Sequence, residues 1–221
     1  MSAGMLRISH IYCGILSVLL ALAPAWRASA QQAPSRIIDE GTARRGYGDT
    51  LPGGDGQTGP GSSGVSIVEA AKSGDVAGAR GAFLAGESVN SRDGQGAPAL
   101  LLAAGAGNDS VMRYLLENGA NPNLFDKRKR TTPLIAAAEL GASNMIRLLL
   151  EHKADPNRTD ATGETALMKA ARIGAADAVR VLINAKADLN ATDYAGHTAL
   201  WHATDARQNQ TVKLLQEAGG S

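Results

Sequence analysis

One pattern recurs along most of the chain with a nearly constant period. An apolar position followed by small residues returns after 33, 34, 33 and 33 residues, at Ile67, Leu100, Leu134, Leu167 and Leu200. An asparagine returns in the same rhythm, at Asn90, Asn123, Asn157 and Asn190. Periods of this length are typical of arrays in which each unit buries its apolar face against its neighbours. The repeat therefore predicts a stacked solenoid.

The unit from residue 160 to residue 192 shows what each part of the repeat contributes. Asp160 and Gly163 predict a tight turn, because the carboxylate can accept backbone N–H groups and glycine tolerates positive φ. Thr165 is a suitable N-cap for a first helix, and Gly174 ends that helix. The apolar positions of a second, antiparallel helix follow, at Val179, Val181, Leu182 and Ile183. Each unit is thus a turn followed by two short helices.

A turn plus two helices at this period resembles the ankyrin-repeat family. Three tetrapeptides are similar to that family's T-P-L-H motif: Thr132-Pro133-Leu134-Ile135, Thr165-Ala166-Leu167-Met168 and Thr198-Ala199-Leu200-Trp201. The motif's histidine is absent here, so we expect packing to replace the hydrogen bond that it makes in the family. The resemblance implies an all-α solenoid of helix-turn-helix units with short β-hairpin tips, about five repeats including two caps.

Composition divides the chain into three predicted segments. Residues 1–30 combine Arg7, an apolar run and an A-x-A pattern ending at Ala30, which together indicate a secretory signal peptide. Residues 31–65 form a predicted linker, because glycine and proline are frequent and no sustained apolar period is present. Residues 66–221 hold the predicted repeats, approximately 66–92, 93–125, 126–159, 160–192 and 193–221.

Charge and cysteine content bear on partners and localisation. The chain has 22 basic and 21 acidic residues, and loss of Arg7 and Arg27 with the signal peptide would leave a net charge of −1. This balance indicates neither a nucleic-acid partner nor stable membrane insertion after cleavage. Cys13 lies in the predicted signal peptide. Sequons at Asn108, Asn157, Asn190 and Asn209 overlap two repeat-closing asparagines, whose side chains we expect to bond the hairpin backbone. We therefore expect a bacterial periplasmic location.

Few residues suit catalysis or a cofactor. The histidines beyond the signal peptide are His152, His197 and His202, and no third ligand stands at a usual metal-binding spacing from the last two. The chain carries no G-x-S-x-G motif and no phosphate-binding glycine loop. We therefore predict no catalytic residues, no metal and no cofactor.

The third repeat departs from the others at its tip. It contains the additional residue that lengthens one interval to 34, and Arg130 stands where other repeats have Gly96, Gly163 and Gly196. Phe125 and Asp126 precede four consecutive basic residues, 127–130. We expect this tip to be reshaped. It is either a contact for an acidic partner or a solvated loop.

The favoured function is a monomeric, exported, non-catalytic module that binds another protein, with periplasmic stress defence as a hint from the resemblance. The alternatives are an enzyme or ligand-binding protein with its site in the groove, and a passive scaffold that presents the linker. The resemblance places partner contacts on the tips and on the inner face of the first helices. The corresponding residues are Gln95, Phe125, Lys127, Arg128, Lys129, Arg130, Thr131, Glu139, Leu140, Thr162, Glu164, Arg172, Ile173, Tyr194, His197 and Asp205.

Overall fold

The computed structural model describes residues 64–220. The predicted signal peptide and all but the last two residues of the predicted linker lie outside them. The described residues form ten α-helices: α1 (Ile67–Ser73), α2 (Val76–Leu84), α3 (Ala99–Ala106), α4 (Asp109–Glu117), α5 (Pro133–Glu139), α6 (Ser143–Glu151), α7 (Ala166–Ile173), α8 (Ala176–Asn184), α9 (Ala199–Asp205) and α10 (Asn209–Glu217). Among these residues no helix is both long and apolar enough to cross a membrane.

The helices stack in two layers. Odd-numbered helices pack on odd-numbered neighbours, and even-numbered helices pack on even-numbered neighbours. Two or three residues connect the helices within each pair, so the two helices run antiparallel. Two isolated antiparallel bridges, Arg92 with Pro98 and Thr159 with Thr165, mark the bases of two tips. The predicted all-α solenoid is confirmed.

The two layers bury different side chains. The first helices bury alanine pairs such as Ala137 and Ala138, whose small size permits close approach of neighbouring helices. The second helices bury larger residues such as Leu149 and Leu182. The predicted core positions Leu134, Leu149, Leu167 and Leu182 are all buried. One continuous apolar core therefore runs through the array.

Threonine caps begin the first helices of the last three repeats. The hydroxyls of Thr132, Thr165 and Thr198 each accept the N–H group three residues later, as expected for Thr165. Gly174 ends α7 with a φ of 76°, in the left-handed region that favours glycine. Where the family motif has histidine, Met168 is buried, and its sulfur accepts the Thr165 N–H at 3.4 Å. Packing and a weak sulfur contact thus replace the imidazole.

The repeat-closing asparagines link neighbouring repeats. The side-chain oxygens of Asn90, Asn123 and Asn157 accept the backbone N–H groups of Asn121, Asp155 and Asp188 at 2.9, 2.8 and 2.8 Å, respectively. These N–H groups lie in the loop after the second helix of the following repeat. For Asn157, the expected bond to the hairpin backbone is replaced by a bond to the next repeat, because stacking brings that repeat within reach of its side chain.

The two ends of the array differ from its centre. In the first repeat, Ser66 Oγ accepts the Glu69 N–H at 3.2 Å and so caps α1. Phe83 anchors α2 through an edge-to-face contact with Tyr114, with ring centroids 6.4 Å apart. In the last repeat, Gln216 is exposed, as expected where no further repeat covers the second helix.

Candidate partner-binding surface

The tip of the third repeat is a widened turn. Asp126 Oδ1 accepts the N–H groups of Arg128 at 2.6 Å and Lys129 at 2.9 Å, and the Arg130 N–H donates to the Asp126 carbonyl at 2.8 Å. Arg130 has a φ of 54°, so it takes the left-handed conformation that glycine adopts at the other tips. The predicted reshaping around the additional residue is confirmed. The backbone N–H of Lys129, and to a smaller extent that of Arg128, lower the pKa of Asp126 even though its slight burial opposes this.

Hydrogen bonds join neighbouring tips into a row. Arg128 Nη1 donates to Gln95 Oε1 at 2.8 Å, and Arg92 Nη1 donates to the Phe125 carbonyl at 3.0 Å. The Ala161 N–H donates to the Lys129 carbonyl at 2.8 Å. The third tip is thereby fixed to both of its neighbours.

An open cavity of about 690 Å³ lies between these tips and the first helices. Its floor includes Leu101, Leu102 and Gly105, and Arg128 and Lys129 stand at its side. A methyl group placed on Gly105 would meet no atom within 4 Å. The small residue therefore leaves room for a side chain of a bound partner.

A buried ion network closes the groove toward the fourth repeat. The Lys169 ammonium contacts Asp160 Oδ2 at 2.9 Å, Glu139 Oε1 at 3.2 Å, and Glu164 Oε2. Arg172 Nη1 adds a contact of 2.8 Å to the other oxygen of Glu164. The Lys169 side chain is only 8% exposed, so these carboxylates are what makes its buried charge tolerable.

The network stabilises the ionised forms of Asp160 and Lys169. Burial alone would raise the pKa of Asp160, but hydrogen bonds from Thr162, Lys169 and backbone N–H groups lower it. Burial alone would likewise lower the pKa of Lys169, but contacts with Glu164 and Asp160 raise it. Lys169 is therefore protonated at neutral pH and unsuited to act as a base or nucleophile.

The last repeat places a second polar cluster in the equivalent position. Asp193 Oδ1 accepts the N–H groups of Ala195 and His197, both at 2.9 Å, while its Oδ2 lies 3.0 Å from His202 Nε2. Burial opposes the ionised form of Asp193, yet its bonds to His197 N–H and His202 lower its pKa. His197 stacks on Trp201 with ring centroids 3.5 Å apart. Sequence spacing suggested no third ligand beside the two histidines, whereas folding brings in Asp193.

The predicted contact residues differ in accessibility. Phe125, Leu140, Ile173 and Tyr194 are four of the six large apolar side chains exposed within residues 64–220. Glu164 is 7% exposed, so little of it is available to a partner. Thr131 and His197 are half-buried, and the remaining predicted residues are exposed: Gln95, Lys127, Arg128, Lys129, Arg130, Glu139, Thr162, Arg172 and Asp205.

Sequence reasoning missed Asp160, Lys169, Asp193 and His202 as members of polar clusters. A signal was present, because Lys169 and His202 occupy the repeat position held by Leu102 and Ala136 in earlier repeats. An ionisable residue at a position that is apolar in the second and third repeats indicates a buried ion pair or a site.

Stacked helix pairs with turns at one edge and a groove beside the first helices are typical of helical solenoid repeat proteins. A family model for ankyrin repeats (3 copies) matches residues 67–160 and 155–221. The chain belongs to the ankyrin-repeat family, whose members generally mediate protein–protein interaction. A search of curated proteins finds no match to the chain.

Proposed function

We propose that this chain is an exported, non-catalytic protein that binds an acidic protein partner on its tips and groove. The observation that carries the proposal is the position of the third tip beside the 690 Å³ cavity. Arg128 and Lys129 line that cavity together with an apolar floor. Such a surface suits a partner that presents a carboxylate-rich segment with an apolar side chain among the acids.

The charge of the third tip is available for binding. Within residues 64–220, Lys127, Arg128, Lys129 and Arg130 form no ion pair, and all four are exposed. Arg128 is already oriented by Gln95, so binding would restrict it less than a free arginine. A cationic patch on a nearly neutral protein would attract an acidic partner and orient its approach.

An enzyme or ligand-binding protein with its site in the groove is the second candidate, favoured by the convergence of Lys169, Asp160 and Glu139 on the cavity. The contacts of Lys169 argue against it. The ammonium contacts three carboxylates, and its raised pKa keeps it protonated. Lys169 and the carboxylates neutralise each other's charge, so a structural role accounts for their presence in the groove without a substrate.

Export to a bacterial periplasm is the second part of the proposal. The A-x-A pattern ending at Ala30 supports cleavage before Gln31. The Asn108 side chain donates to the Ala71 carbonyl at 2.8 Å, and Asn157 accepts a bond from the next repeat. N-glycans would disrupt both contacts, which favours a compartment without N-glycosylation. Intact-mass measurement of exported protein should show Gln31 as the first residue. A membrane fraction retaining residues 1–30 would contradict cleavage.

Affinity purification from periplasmic extract tests partner binding. We expect the wild-type protein to retain a partner that the double variant Arg128→Glu, Lys129→Glu loses. A matched control reverses two exposed charges on second helices, Arg180→Glu with Lys213→Glu, and should retain it. A partner held equally well by all three proteins would contradict the tip as the binding site.

The linker requires a separate arm of the same experiment. Deletion of residues 31–64 should leave the partner bound if the repeats bind it. Loss of the partner on this deletion would favour the passive-scaffold alternative, in which the linker carries the interaction. In our proposal the module acts as a monomer and needs no cofactor, and any role in periplasmic stress defence depends on which partner is found.

A further inference from the structure

The polar clusters of the last two repeats occupy equivalent positions. Asp160, Glu164 and Lys169 each stand 33 residues before Asp193, His197 and His202, respectively. The two aspartates are held alike. Asp160 Oδ1 accepts the N–H groups of Thr162 and Glu164, just as Asp193 Oδ1 accepts those of Ala195 and His197. The same backbone frame therefore presents two different sets of side chains.

In the fourth repeat, the frame contains its own cation. The Lys169 ammonium lies 2.9 Å from Asp160 Oδ2 and also contacts Glu164 Oε2. In the fifth repeat, both non-aspartate positions carry imidazoles, and His202 Nε2 lies 3.0 Å from Asp193 Oδ2. An imidazole, which can bind a metal ion, thus stands in the fifth repeat where the fourth repeat has an ammonium.

The three ligand atoms in the fifth repeat converge. Asp193 Oδ2 lies 3.7 Å from His197 Nδ1, and the three ligand atoms of Asp193, His197 and His202 lie within 4.8 Å of one another. Small side-chain rotations would bring all three to the distances of about 2.0–2.2 Å at which zinc binds nitrogen and oxygen. We propose that Asp193, His197 and His202 bind a divalent transition-metal ion of the zinc type.

The surroundings suit such an ion. Two imidazoles and one carboxylate are typical ligands of zinc and related ions, whereas magnesium and calcium prefer oxygen ligands alone. Asp193 is fixed by its two backbone N–H partners, and His197 is restrained by Trp201. Both therefore need little reordering to bind a metal.

The remaining coordination positions have access to solvent and to one further oxygen. An open cavity of about 530 Å³ is lined by Asp193, Tyr194 and Glu164. Glu164 Oε1 lies 3.7 Å from His202 Nε2, although Arg172 and Lys169 already neutralise that carboxylate. Water or Glu164 would complete the coordination. Binding would replace the proton in the contact between His202 and Asp193.

Titration of the purified full chain, carrying no histidine tag, with ZnCl₂ by isothermal calorimetry tests the proposal. The decisive variant, His197→Glu with His202→Lys, copies the fourth repeat and supplies an internal cation. It should weaken zinc binding at least about tenfold, as loss of a ligand costs no less than loss of an outer-shell partner. His152→Gln, which removes a histidine outside the cluster, is the matched control and should bind like wild type.

Single substitution His197→Gln provides the same test if the double variant fails to fold, because it retains the contact between His202 and Asp193. Co²⁺ absorption in the visible range should appear with wild type and decrease with His197→Gln. Absence of zinc binding by folded wild-type protein would overturn the proposal. Equal affinities of wild type and a folded His197 variant would overturn it as well.

Discussion

The groove has two halves that share a backbone and differ in chemistry. The first half belongs to repeats two and three, where Leu102 and Ala136 occupy the same repeat position. Leu102 helps to line an open cavity. The second half belongs to repeats four and five, where Lys169 and His202 occupy that position. Both side chains are buried against carboxylates. An apolar residue at this repeat position lines the open cavity in repeat two, whereas an ionisable residue there belongs to a polar cluster in repeats four and five.

The two halves also differ in how their basic side chains are paired. The first half leaves its cations exposed on the tip, where a partner can reach them. The second half uses its cations internally, since Lys169 and Arg172 both neutralise Glu164. Each half should therefore respond differently to substitution, acid and salt.

Removing the buried ammonium should have the largest effect. Lys169→Met leaves Asp160 buried without its cation and leaves Glu164 with Arg172 alone, which should lower the free energy of unfolding by about 3–5 kcal/mol. Urea denaturation measures the loss. The control, Lys213→Met, removes an exposed lysine and should cost less than about 1 kcal/mol. If the two variants lose the same stability, the network does not distinguish the second half.

Truncating the shared core should affect both halves alike. Leu149 and Leu182 are fully buried in the second helices of repeats three and four, and replacing either with alanine should cost about 2–5 kcal/mol. Leu84→Ala, at a side chain that is 78% exposed, is the control and should change the urea midpoint little. Similar losses at Leu149 and Leu182 would confine the contrast between the halves to the groove. A midpoint shift at Leu149 as small as that at Leu84 would contradict the repeat alignment.

Acid should weaken the second half through Asp160. The pKa of Asp160 is lowered by folding, so its contribution to stability is present above its ordinary value of 3.8 and is lost as pH falls through the folded value. The contribution of Lys169 is present below its ordinary value of 10.5 and is lost as pH rises through its raised folded value. A tenfold difference in acid dissociation constant between the folded and unfolded protein corresponds to about 1.4 kcal/mol of stability. Urea denaturation across this range should show a plateau at neutral pH.

A substitution at Asp160 tests whether this carboxylate causes the loss of stability in acid. Asp160→Asn cannot titrate, so its stability should fall less steeply below pH 3.8 than that of wild type. Equal slopes in the two proteins would show that other carboxylates determine the acid loss.

The periodic features of this chain could be predicted from its sequence, and the contacts between repeats could not. Spacing and caps such as Thr165 indicated the helix pairs, because these depend on neighbouring residues. The contact between Lys169 and Glu139 joins residues from two repeats, and its existence depends on how the repeats superimpose. The bond from Asp188 to Asn157 was mispredicted for the same reason. At the tip, the additional residue was visible in the spacing, while the bond between Arg128 and Gln95 required the stacked arrangement.

The smallest expected effects concern the first half and its partner. Once the partner is isolated, Phe125→Ala should increase the dissociation rate, because Phe125 is 37% exposed and would lose contact area in the complex. Arg128→Glu with Lys129→Glu should instead lower the association rate by about tenfold, since charge acts mainly on approach. Surface plasmon resonance separates the two rates, and circular dichroism must show that both variants are folded.

The salt dependence of the association rate tests whether the basic tip attracts the partner through its charge. The screening length falls from about 10 Å at 0.1 M to about 3 Å at 1 M ionic strength, so association with wild type should slow as salt rises. The charge-reversed variant should respond less, because the attractive cations have gone. If neither variant changes either rate while both remain folded, the four basic residues are a solvated loop. The partner must then contact the groove at Glu139, Leu140, Arg172 and Ile173, where the second half of the molecule meets the first.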